Sequence, residues 1–546
     1  MRVAVIGSGP AGVAAATALI EAGWSVDMVD AGRARPASCA ALADRLLHEL
    51  SSRGRPKLRT LNLLRGGGGG STAGAKPRPS WPGKGLMDPG RTRKRVLGSQ
   101  FAFEATDRLL PVTGGDPPRA LAVGGLSNVW GAACYASAAG TTAAWPPGSA
   151  PQPAHYRRAV EFLGVDQEED GLAQAYPLFG QEGKAAPRNT GSALEALLER
   201  WRAQQSELAA AGFQAGRSRL AVSFSGSKAC RNCGLCFTGC PTDAIFHSDQ
   251  RLDPLAGNER FRFLGETFVL AFREGAGGTL SLETVALDGD PQPPLTGYDR
   301  VVLAAGALSS FRIAAQSLGD GAAEAPLLDN DMIILPFLAR SRPQRVAGRH
   351  LFALSEAALS FSLGPQAEDC LHAQFYALHP YFLGPAGDLL ESLPGWLAAL
   401  PRAALSRFLV GFLYLPGHLS RQARLRAEPG PEAGPWRLTM SSHEQPQAAP
   451  AFRQAIERIG RCRGLALQPV RSLQRSTPFG FSGHLGGTMP MQAQPRGLQT
   501  DANGRLAADP RVAVADAAAF PSVSAPNPTL TVVAQAFRVA ELLGPG

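Results

Sequence analysis

Four cysteines lie close together near the middle of the chain, as Cys230-x2-Cys233-x2-Cys236-x3-Cys240 followed by Pro241. Thiolates with this spacing wrap an iron-sulfur cluster in bacterial ferredoxins, whereas a zinc site normally uses two separated Cys-x2-Cys pairs. Disulfides between such close neighbours would be strained. The spacing therefore predicts an iron-sulfur cluster, with zinc or vestigial cysteines as the alternatives. The cluster type, three-iron or four-iron, is left open, because the fourth cysteine of such a run can serve a second cluster.

A histidine and an asparagine near the end of the chain are candidates for acid-base chemistry. His484 lies in the sequence Gly-His-Leu-Gly-Gly-Thr, and Asn527 lies between two prolines. An imidazole with an unperturbed pKa near ~6.5 is neutral often enough at neutral pH to remove a hydroxyl proton, and an amide can orient the hydroxyl oxygen. Taken alone, a lone histidine is more often a hydrogen-bonded core residue, and an asparagine between prolines is a turn residue.

The first thirty residues have the pattern of a phosphate-binding turn. An apolar run, residues 3–6, leads directly into Gly7-x-Gly9-x-x-Gly12, and an alanine-rich helical stretch follows. We expect Gly7 to allow the tight turn, Gly9 to let a pyrophosphate approach the backbone, and Gly12 to let helix and strand pack closely. A second strand-like run ends at Asp30, where an acidic side chain takes a ribose hydroxyl. This order predicts binding of a dinucleotide, FAD or NAD, rather than a turn without a ligand.

Two further glycine-rich stretches are expected to border the cofactor. Residues 121–131 combine paired glycines and small residues with a tryptophan, so the backbone can approach a flat ring such as a flavin. An ordinary turn ahead of a core tryptophan is the alternative. Residues 300–306 form an apolar run that ends in small residues and suits a buried strand passing beside the dinucleotide. The candidate cofactor-binding residues of these stretches are Gly124, Gly125, Ser127, Asn128, Ala305 and Gly306.

Hydrophobic patterning predicts the elements that must position these residues. Residues 51–95 are rich in proline and glycine, with five consecutive glycines, and predict a flexible loop. The alternating segments between residues 329 and 474 are typical of strands in a separate sheet. Helices are predicted over residues 11–22, 40–50, 153–163 and 193–211, and strands over residues 3–6, 25–29, 261–272, 279–287, 300–306, 332–338 and 352–363.

Length and charge limit the classes of function. The chain has 546 residues, of which 45% are hydrophobic, enough for two interleaved domains with a large core. Its net charge of +9 is scattered, and no basic helix with interleaved aromatic residues indicates nucleic-acid binding. No secretion signal precedes the first strand, so a cytoplasmic location is expected. No run of apolar residues is long enough for a spanning helix.

One segment raises a question about membranes. Residues 388–419 are rich in Leu, Phe and Trp and are followed by several arginines. The favoured interpretation is core structure over a substrate cavity. The alternative is peripheral contact with a membrane through Trp396, Phe408 and Phe412.

The motifs together resemble those of the glucose-methanol-choline (GMC) family of flavoprotein oxidoreductases. The resemblance is carried by the N-terminal turn, the 124–131 and 304–307 stretches, the Gly-His-x-Gly-Gly-Thr sequence, residues 512–517 and the Pro-Asn-Pro sequence, which occur in family order. It implies an α/β fold. A Rossmann-like FAD-binding domain is assembled from both ends of the chain, and an α+β substrate domain with a six-stranded antiparallel sheet packs over the flavin. The implied ranges are residues 1–328 for the FAD-binding domain, with a cysteine-cluster insertion at 225–250, 329–474 for the substrate domain, and 475–546 for the returning segment.

The resemblance also implies roles for individual residues. His484 matches the active-site histidine of the family, Asn527 its second catalytic residue, and Asp516 the strand-end acid beside the flavin diphosphate and ribityl chain. Val129 occupies the position where some relatives carry a histidine bonded to FAD, so the FAD is expected to be non-covalent.

The sequence therefore predicts an FAD-dependent dehydrogenase that oxidises the CH-OH group of an alcohol or sugar-like substrate. His484 acts as the general base while a hydride passes to flavin N5. Electrons are expected to leave through the cluster to a quinone, a cytochrome or another redox protein. The alternatives are an oxidase that uses oxygen, a flavin-retaining lyase or isomerase, and a non-enzymatic electron-transfer or scaffold subunit.

Overall fold

The structure, a computed structural model, describes residues 1–53, 106–180, 193–237, 239–319, 321–340, 352–364, 370–379, 382, 401, 405–430 and 434–546. The predicted flexible loop at 51–95 lies almost wholly outside these residues. So does half of the segment 388–419.

A parallel sheet of five strands is built from both ends of the chain and from its middle. Its strands are short apolar runs that helices cover, so nearly every residue of Arg2–Ile6 is buried. The C-terminal helix Thr529–Leu542 packs against Pro10–Glu21 and Pro153–Leu163, and the alanines of the N-terminal helix allow this close approach. In space the strands follow the order Val512–Val514, Arg300–Leu303, Arg2–Ile6, Ser25–Val29 and Phe261–Leu264.

An antiparallel sheet of seven strands forms the second body of the fold. The helix Ala448–Arg461 contributes Phe452, Ile456 and Ile459 to the apolar core beside this sheet. The sheet has one strand more than the resemblance implied, because the two-residue strand Arg475–Ser476 also pairs with the strand that begins at Met332. In space the other six strands follow the order Leu467–Pro469, Met332–Ala339, Phe408–Tyr414, Cys370–Ala377, Ala357–Ser362 and Phe213–Arg217.

Two smaller sheets and several helices complete the described fold. One sheet contains Ala323–Leu327, Gln422–Glu428, Arg437–His443 and Val112–Thr113, and the other contains Thr267–Glu274, Leu280–Ala286 and Pro291–Tyr298. The remaining α-helices are Ala37–Arg53, Thr106–Leu109, Ala139–Ala143, Ala193–Ala203, Gln205–Ala210, Leu252–Ala256 and Ala307–Leu318. No helix in the described ranges is long and apolar enough to span a bilayer.

The predicted α/β fold class is confirmed, and the helix Pro153–Leu163 has the predicted bounds. Two elements were predicted as continuous but are divided. The helix expected over residues 193–211 is interrupted at Gln204. The strand expected over 261–272 is broken at Gly265 and Glu266, where Glu266 adopts a positive φ of 51°, and its two parts join different sheets.

Candidate active site

A cavity of about 460 Å³ lies where three parallel strands end and where the seven-stranded sheet faces them. This edge of an α/β sheet is the usual place for a bound nucleotide. His484 and Asn527 line the same cavity as the N-terminal glycine turn. Of the predicted cofactor-binding residues, the cavity is lined by Gly7, Gly9, Asp30, Gly125, Ser127, Ala305, Gly306 and Asp516, whereas Gly12, Gly124 and Asn128 do not line it.

The three glycines of the N-terminal turn have different surroundings. Gly7 has a φ of +107°, and a Cβ there would lie 2.5 Å from the carbonyl oxygen of Ala304. A Cβ on Gly12 would lie 1.8 Å from the carbonyl oxygen of Gly7, so only glycine allows the helix to approach the turn this closely. A Cβ on Gly9 would meet no atom within 4 Å. Gly9 therefore leaves open space at the N-terminus of the helix Pro10–Glu21, where backbone N–H groups favour a phosphate.

Two carboxylates stand at the strand ends beside this turn, the half-buried Asp30 and the buried Asp516. Asp30 accepts hydrogen bonds from the backbone N–H groups of Ser8 and Gly32 at 2.5 Å each, and burial raises the pKa of its carboxyl. Asp516 accepts hydrogen bonds from the N–H of Gly306 at 2.8 Å and the hydroxyl of Ser310 at 2.6 Å, and burial also raises its pKa. Asp516 thus joins two of the segments that border the cavity.

The 124–131 stretch forms a tight turn in which some residues hold the turn and others line the cavity. Gly124 and Gly125 both have positive φ angles, of 91° and 54°. The side chain of Asn128 donates to the carbonyl oxygens of Val123 and Gly125 at 2.9 Å each, so it holds the turn. Ser127 and Val129 line the cavity. The loss of Asn128 would therefore act on a cofactor through the shape of the turn.

The imidazole of His484 is held in one tautomer by Asn330. The Nδ2 group of Asn330 donates to the carbonyl oxygens of Ser524 and Ala525 at 3.1 and 2.8 Å, which fixes the orientation of this buried amide. Its Oδ1 then faces His484 Nδ1 at 2.8 Å and accepts the hydrogen of that nitrogen. Burial lowers the pKa of His484 to about 3, so the ring is neutral and Nε2 carries a lone pair.

This lone pair in turn fixes Asn527. Asn527 Nδ2 lies 2.9 Å from His484 Nε2 and must be the donor, because that nitrogen has no hydrogen. Asn527 Oδ1 accepts from Gln374 Nε2, and Gln374 Oε1 accepts from the Tyr376 hydroxyl at 3.0 Å. The network therefore presents one acceptor, His484 Nε2, beside an amide with a second N–H to donate.

No local sequence motif marked Asn330, Gln374 or His372 as part of the site. None of them was assigned a role from the sequence. Gln374 also donates to His372 Nε2 at 3.1 Å, and His372 Nδ1 lies 3.0 Å from the Tyr176 hydroxyl. Asn330 is 154 residues from His484 in the chain. Only the pairing of strands brings these side chains together, so a search of short motifs misses them.

The buried, neutral state of His484 leads to a prediction about its protonation. The sequence suggested an ordinary pKa near ~6.5 for His484, whereas burial depresses it to about 3. A histidine with a depressed pKa is neutral above that value, so His484 is expected to show no protonation between about pH 5 and pH 8. Nitrogen NMR of histidine-labelled protein should find Nδ1 protonated and Nε2 bare throughout.

Asn330→Asp provides the matched variant. A carboxylate would accept the same hydrogen bond and raise the pKa of His484 by about one to three pH units. If the wild-type signal instead titrates near the ordinary value, the buried neutral tautomer is wrong.

The four-cysteine loop lies against the wall of the cavity. Phe237, which follows Cys236, lines the cavity, and its ring lies 5.1 Å from that of Phe382. The four thiols form no disulfides, and burial raises the pKa of Cys233 to about 12. Backbone N–H groups donate to each sulfur atom: Asn232 to Cys230, Leu235 to Cys233, Ala353 to Cys236 and Ala244 to Cys240.

The structure does not support the predicted metal ligation by Cys230, Cys233, Cys236 and Cys240. Across the residues that the structure describes, no group of three or more Cys, His, Asp or Glu side chains is arranged to hold a metal ion. Each sulfur accepts a hydrogen bond from a backbone N–H of the loop or of an adjoining segment. The iron-sulfur prediction therefore rests on the cysteine spacing.

Comparisons with known proteins agree with this site. Residues 441–536, which contain His484, Asp516 and Asn527, match a family model described as GMC oxidoreductase. No curated protein matches the chain. The family match supports FAD as the cofactor, and the open space at Gly9 beside Asp30, which lines the cavity, fits a dinucleotide.

Two solved structures are similar along nearly the whole chain. One is pyridoxine 4-oxidase from Mesorbium loti, at 17% identity and a TM-score of 0.53, covering 99% of this chain and 98% of that one. The other is formate oxidase from Aspergillus oryzae RIB40, at 11% identity and a TM-score of 0.55, covering 99% and 97%. At these identities the likeness shows the fold alone. The chain thus matches the GMC oxidoreductase family model over residues 441–536 and shares its fold along nearly its whole length with these two solved oxidases.

Proposed function

We propose that this protein is an FAD-dependent oxidoreductase that oxidises the CH-OH group of an alcohol, with His484 as the general base and Asn527 as the group that orients the hydroxyl. The observation that carries the proposal is the fixed pair of acceptor and donor, His484 Nε2 and Asn527 Nδ2, 2.9 Å apart in the cavity that the glycine turn also lines.

An alcohol hydroxyl complements this pair. On binding, its hydrogen takes the place of the Asn527 hydrogen at the single lone pair of His484 Nε2, and its oxygen accepts an N–H of Asn527 Nδ2. Oxidation of the carbinol requires loss of that proton and of a hydride from the carbon. His484 holds the proton, and FAD, when bound, supplies the acceptor of the hydride.

The neighbours of the pair favour this use. Asn330 holds Nδ1 so that only Nε2 is available as a base, and Gln374 holds Asn527 so that its amide N–H groups face the histidine. Both positioning residues are almost completely buried, which removes competing water. The low pKa of the imidazole is the cost of that burial, because it weakens the base.

Anaerobic mixing of the oxidised holoprotein with alcohols tests the proposal. Bleaching of the flavin, with one carbonyl product formed for each flavin, supports an oxidoreductase. Conversion of the alcohol without bleaching indicates a lyase or isomerase. If the protein converts none of the alcohols, it is an electron-transfer or scaffold subunit.

For the exit of electrons we propose the iron-sulfur cluster predicted on the cysteine loop, with the protein acting as a dehydrogenase. Support comes from the ferredoxin-like spacing, from backbone N–H groups at all four sulfurs, and from the contact of the loop with the cavity wall. Oxygen is the alternative acceptor, since the two similar solved structures are named oxidases.

Replacing Cys230, Cys233 and Cys236 together by serine tests this exit. We expect protein purified anaerobically to contain iron, the variant to lose it, and anaerobic flavin reduction by alcohol to change little. Turnover with a dye or quinone should fall strongly. Cys462→Ser is the matched control, because this cysteine lies on a different segment. Absence of iron, or rapid peroxide production that the triple variant leaves unchanged, would make the four cysteines structural. The protein would then be an oxidase or a dehydrogenase that transfers electrons directly from flavin to its acceptor.

Location and partners are further proposals based on the sequence. We propose a cytoplasmic protein that passes electrons to a quinone, a cytochrome or another redox protein, with peripheral contact of residues 388–419 with a membrane as an additional possibility. Phe412 is buried in the cavity wall and is unsuited to membrane contact, Phe408 is half-buried, and Trp396 lies outside the described residues. Flotation with anionic liposomes tests the membrane contact.

A further inference from the structure

Most charged side chains of the cavity lie on one side. Within the part of the chain that the structure describes, the charged lining residues are Asp30, Arg119, Arg312 and Asp516. Asp30, Arg312 and Asp516 lie on segments around the parallel sheet, whereas Arg119 follows Pro118, which packs against Gly483. The seven-stranded sheet contributes none, and neither do the lining residues 481–485 and 527–532 around the catalytic pair. A substrate seated at His484 therefore meets no described ionic partner on these walls, and burying an unpaired charge there would be costly.

The walls around the catalytic pair are aromatic and aliphatic. Tyr376 and Phe412 lie on neighbouring strands with their ring centroids 4.7 Å apart and their planes tilted by 40°, and both line the cavity. Phe237 and Phe481 line it as well. The polar groups among them are mostly engaged, since the Tyr376 hydroxyl donates to Gln374 and the Gln374 amide is bonded on both sides. Such walls suit a flat apolar ring better than a sugar, whose many hydroxyls would lack partners.

One polar group is different. Tyr414 is 4% exposed, lines the cavity, and its ring lies 5.7 Å from the imidazole of His484. Its hydroxyl has no hydrogen-bond partner within the described residues, although burial raises its pKa and keeps it protonated. A neutral phenol that is almost completely buried and borders a cavity can donate to an oxygen of a bound molecule.

We propose that the substrate is an uncharged aromatic alcohol of the benzyl type, and that the Tyr414 hydroxyl donates a hydrogen bond to an oxygen substituent of its ring. The carbinol lies at His484 and Asn527, and the ring lies among Tyr376, Phe412 and Phe481. This inference rests on the proposed function, since it names the substrate class of the same site.

The test uses the FAD-loaded protein and measures anaerobic flavin reduction by benzyl alcohol, para-methoxybenzyl alcohol, glucose and choline. We expect both aromatic alcohols to have rate constants per unit concentration at least about tenfold above those of glucose and choline, because about 1.4 kcal/mol of binding corresponds to tenfold. Tyr414→Phe removes only the hydroxyl. It should lower the preference for the methoxy compound over benzyl alcohol by several-fold to about tenfold.

Tyr298→Phe is the matched control. Tyr298 is a buried tyrosine whose hydroxyl donates to Asp27 at 2.9 Å, and it does not line the cavity. This variant should leave the substrate preference unchanged. The wild-type series tests the substrate class without any variant, so a poorly folding Tyr414→Phe protein does not remove the test.

The outcomes separate the two proposals. If glucose or choline reduces the flavin as fast as the aromatic alcohols, the substrate class is wrong while the alcohol oxidoreductase stands. If Tyr414→Phe keeps the wild-type preference for the methoxy compound, the role of Tyr414 is wrong. If no alcohol reduces the flavin, the proposed function fails and the substrate class fails with it.

Discussion

His484→Ala is expected to slow the reduction of bound flavin by an alcohol by about a hundredfold or more while FAD stays bound, as is usual for the loss of a general base. The variant removes Nε2, which has the only lone pair that the His484–Asn527 pair directs at a hydroxyl. It also leaves Asn330 Oδ1 and one hydrogen of Asn527 without their partner. Anaerobic stopped-flow absorbance measures the effect directly.

His443→Ala is the matched control, because His443 is exposed at the end of the strand Arg437–His443, away from the cavity. The flavin of this variant should be reduced at the wild-type rate. Asn527→Ala should slow the same step less than His484→Ala, since orientation is lost but the base remains. If the His484→Ala protein binds FAD and the alcohol reduces its flavin at the wild-type rate, the catalytic base lies elsewhere.

Gly9→Asp is expected to abolish FAD binding without unfolding the protein. Gly9 has a φ of −64° and a ψ of 175°, which any residue can adopt, and its Cβ would enter open space. Aspartate is a preferred residue at the N-cap of a helix, so the free protein should be as stable as the wild type or slightly more stable. The new carboxylate would occupy the space beside the helix N-terminus and repel phosphates there. We expect the FAD content of the purified protein to fall at least about tenfold.

Gly9→Asn separates bulk from charge, because asparagine has nearly the same size and no charge. If repulsion between the carboxylate and the phosphates of FAD contributes to the loss of binding, Gly9→Asn should retain more FAD than Gly9→Asp. Gly12→Ala is a contrasting variant, since its Cβ would overlap the carbonyl oxygen of Gly7 and should lower the melting temperature of the free protein. Full FAD content in Gly9→Asp would show that the phosphates bind away from this turn.

The fold was predictable where a local pattern and a tertiary role coincide. The run Arg2–Ile6, the glycine turn and the helix Pro10–Glu21 follow one another without interruption, and each is buried in the manner that its pattern predicts. The strand Phe213–Arg217 was not predicted. It is short and lies more than 100 residues before the rest of the sheet it joins, so its identity depends on pairing with Ala357–Ser362.

The residues of the site were likewise predictable from the sequence only in part. His484 and Asn527 were recognisable because their local sequences resemble motifs of the GMC family, and the structure places their side chains in contact. Asn330 and Gln374 lie in ordinary strand or turn sequence, and their importance arises only from amide orientations fixed across the cavity. The depressed pKa of His484 was equally hidden, because burial is a property of the fold.

An alcohol is expected to give its proton to His484 and its hydride to the bound cofactor, and a single-turnover experiment with deuterated substrate measures this transfer. Benzyl alcohol carrying deuterium on its carbinol carbon is mixed anaerobically with the oxidised holoprotein, and flavin absorbance and product are followed together. We expect the flavin to bleach, benzaldehyde to form in equal amount, and deuterium to slow the bleaching severalfold. A flavin that stays oxidised with every alcohol, in protein that retains its FAD, would contradict this expectation.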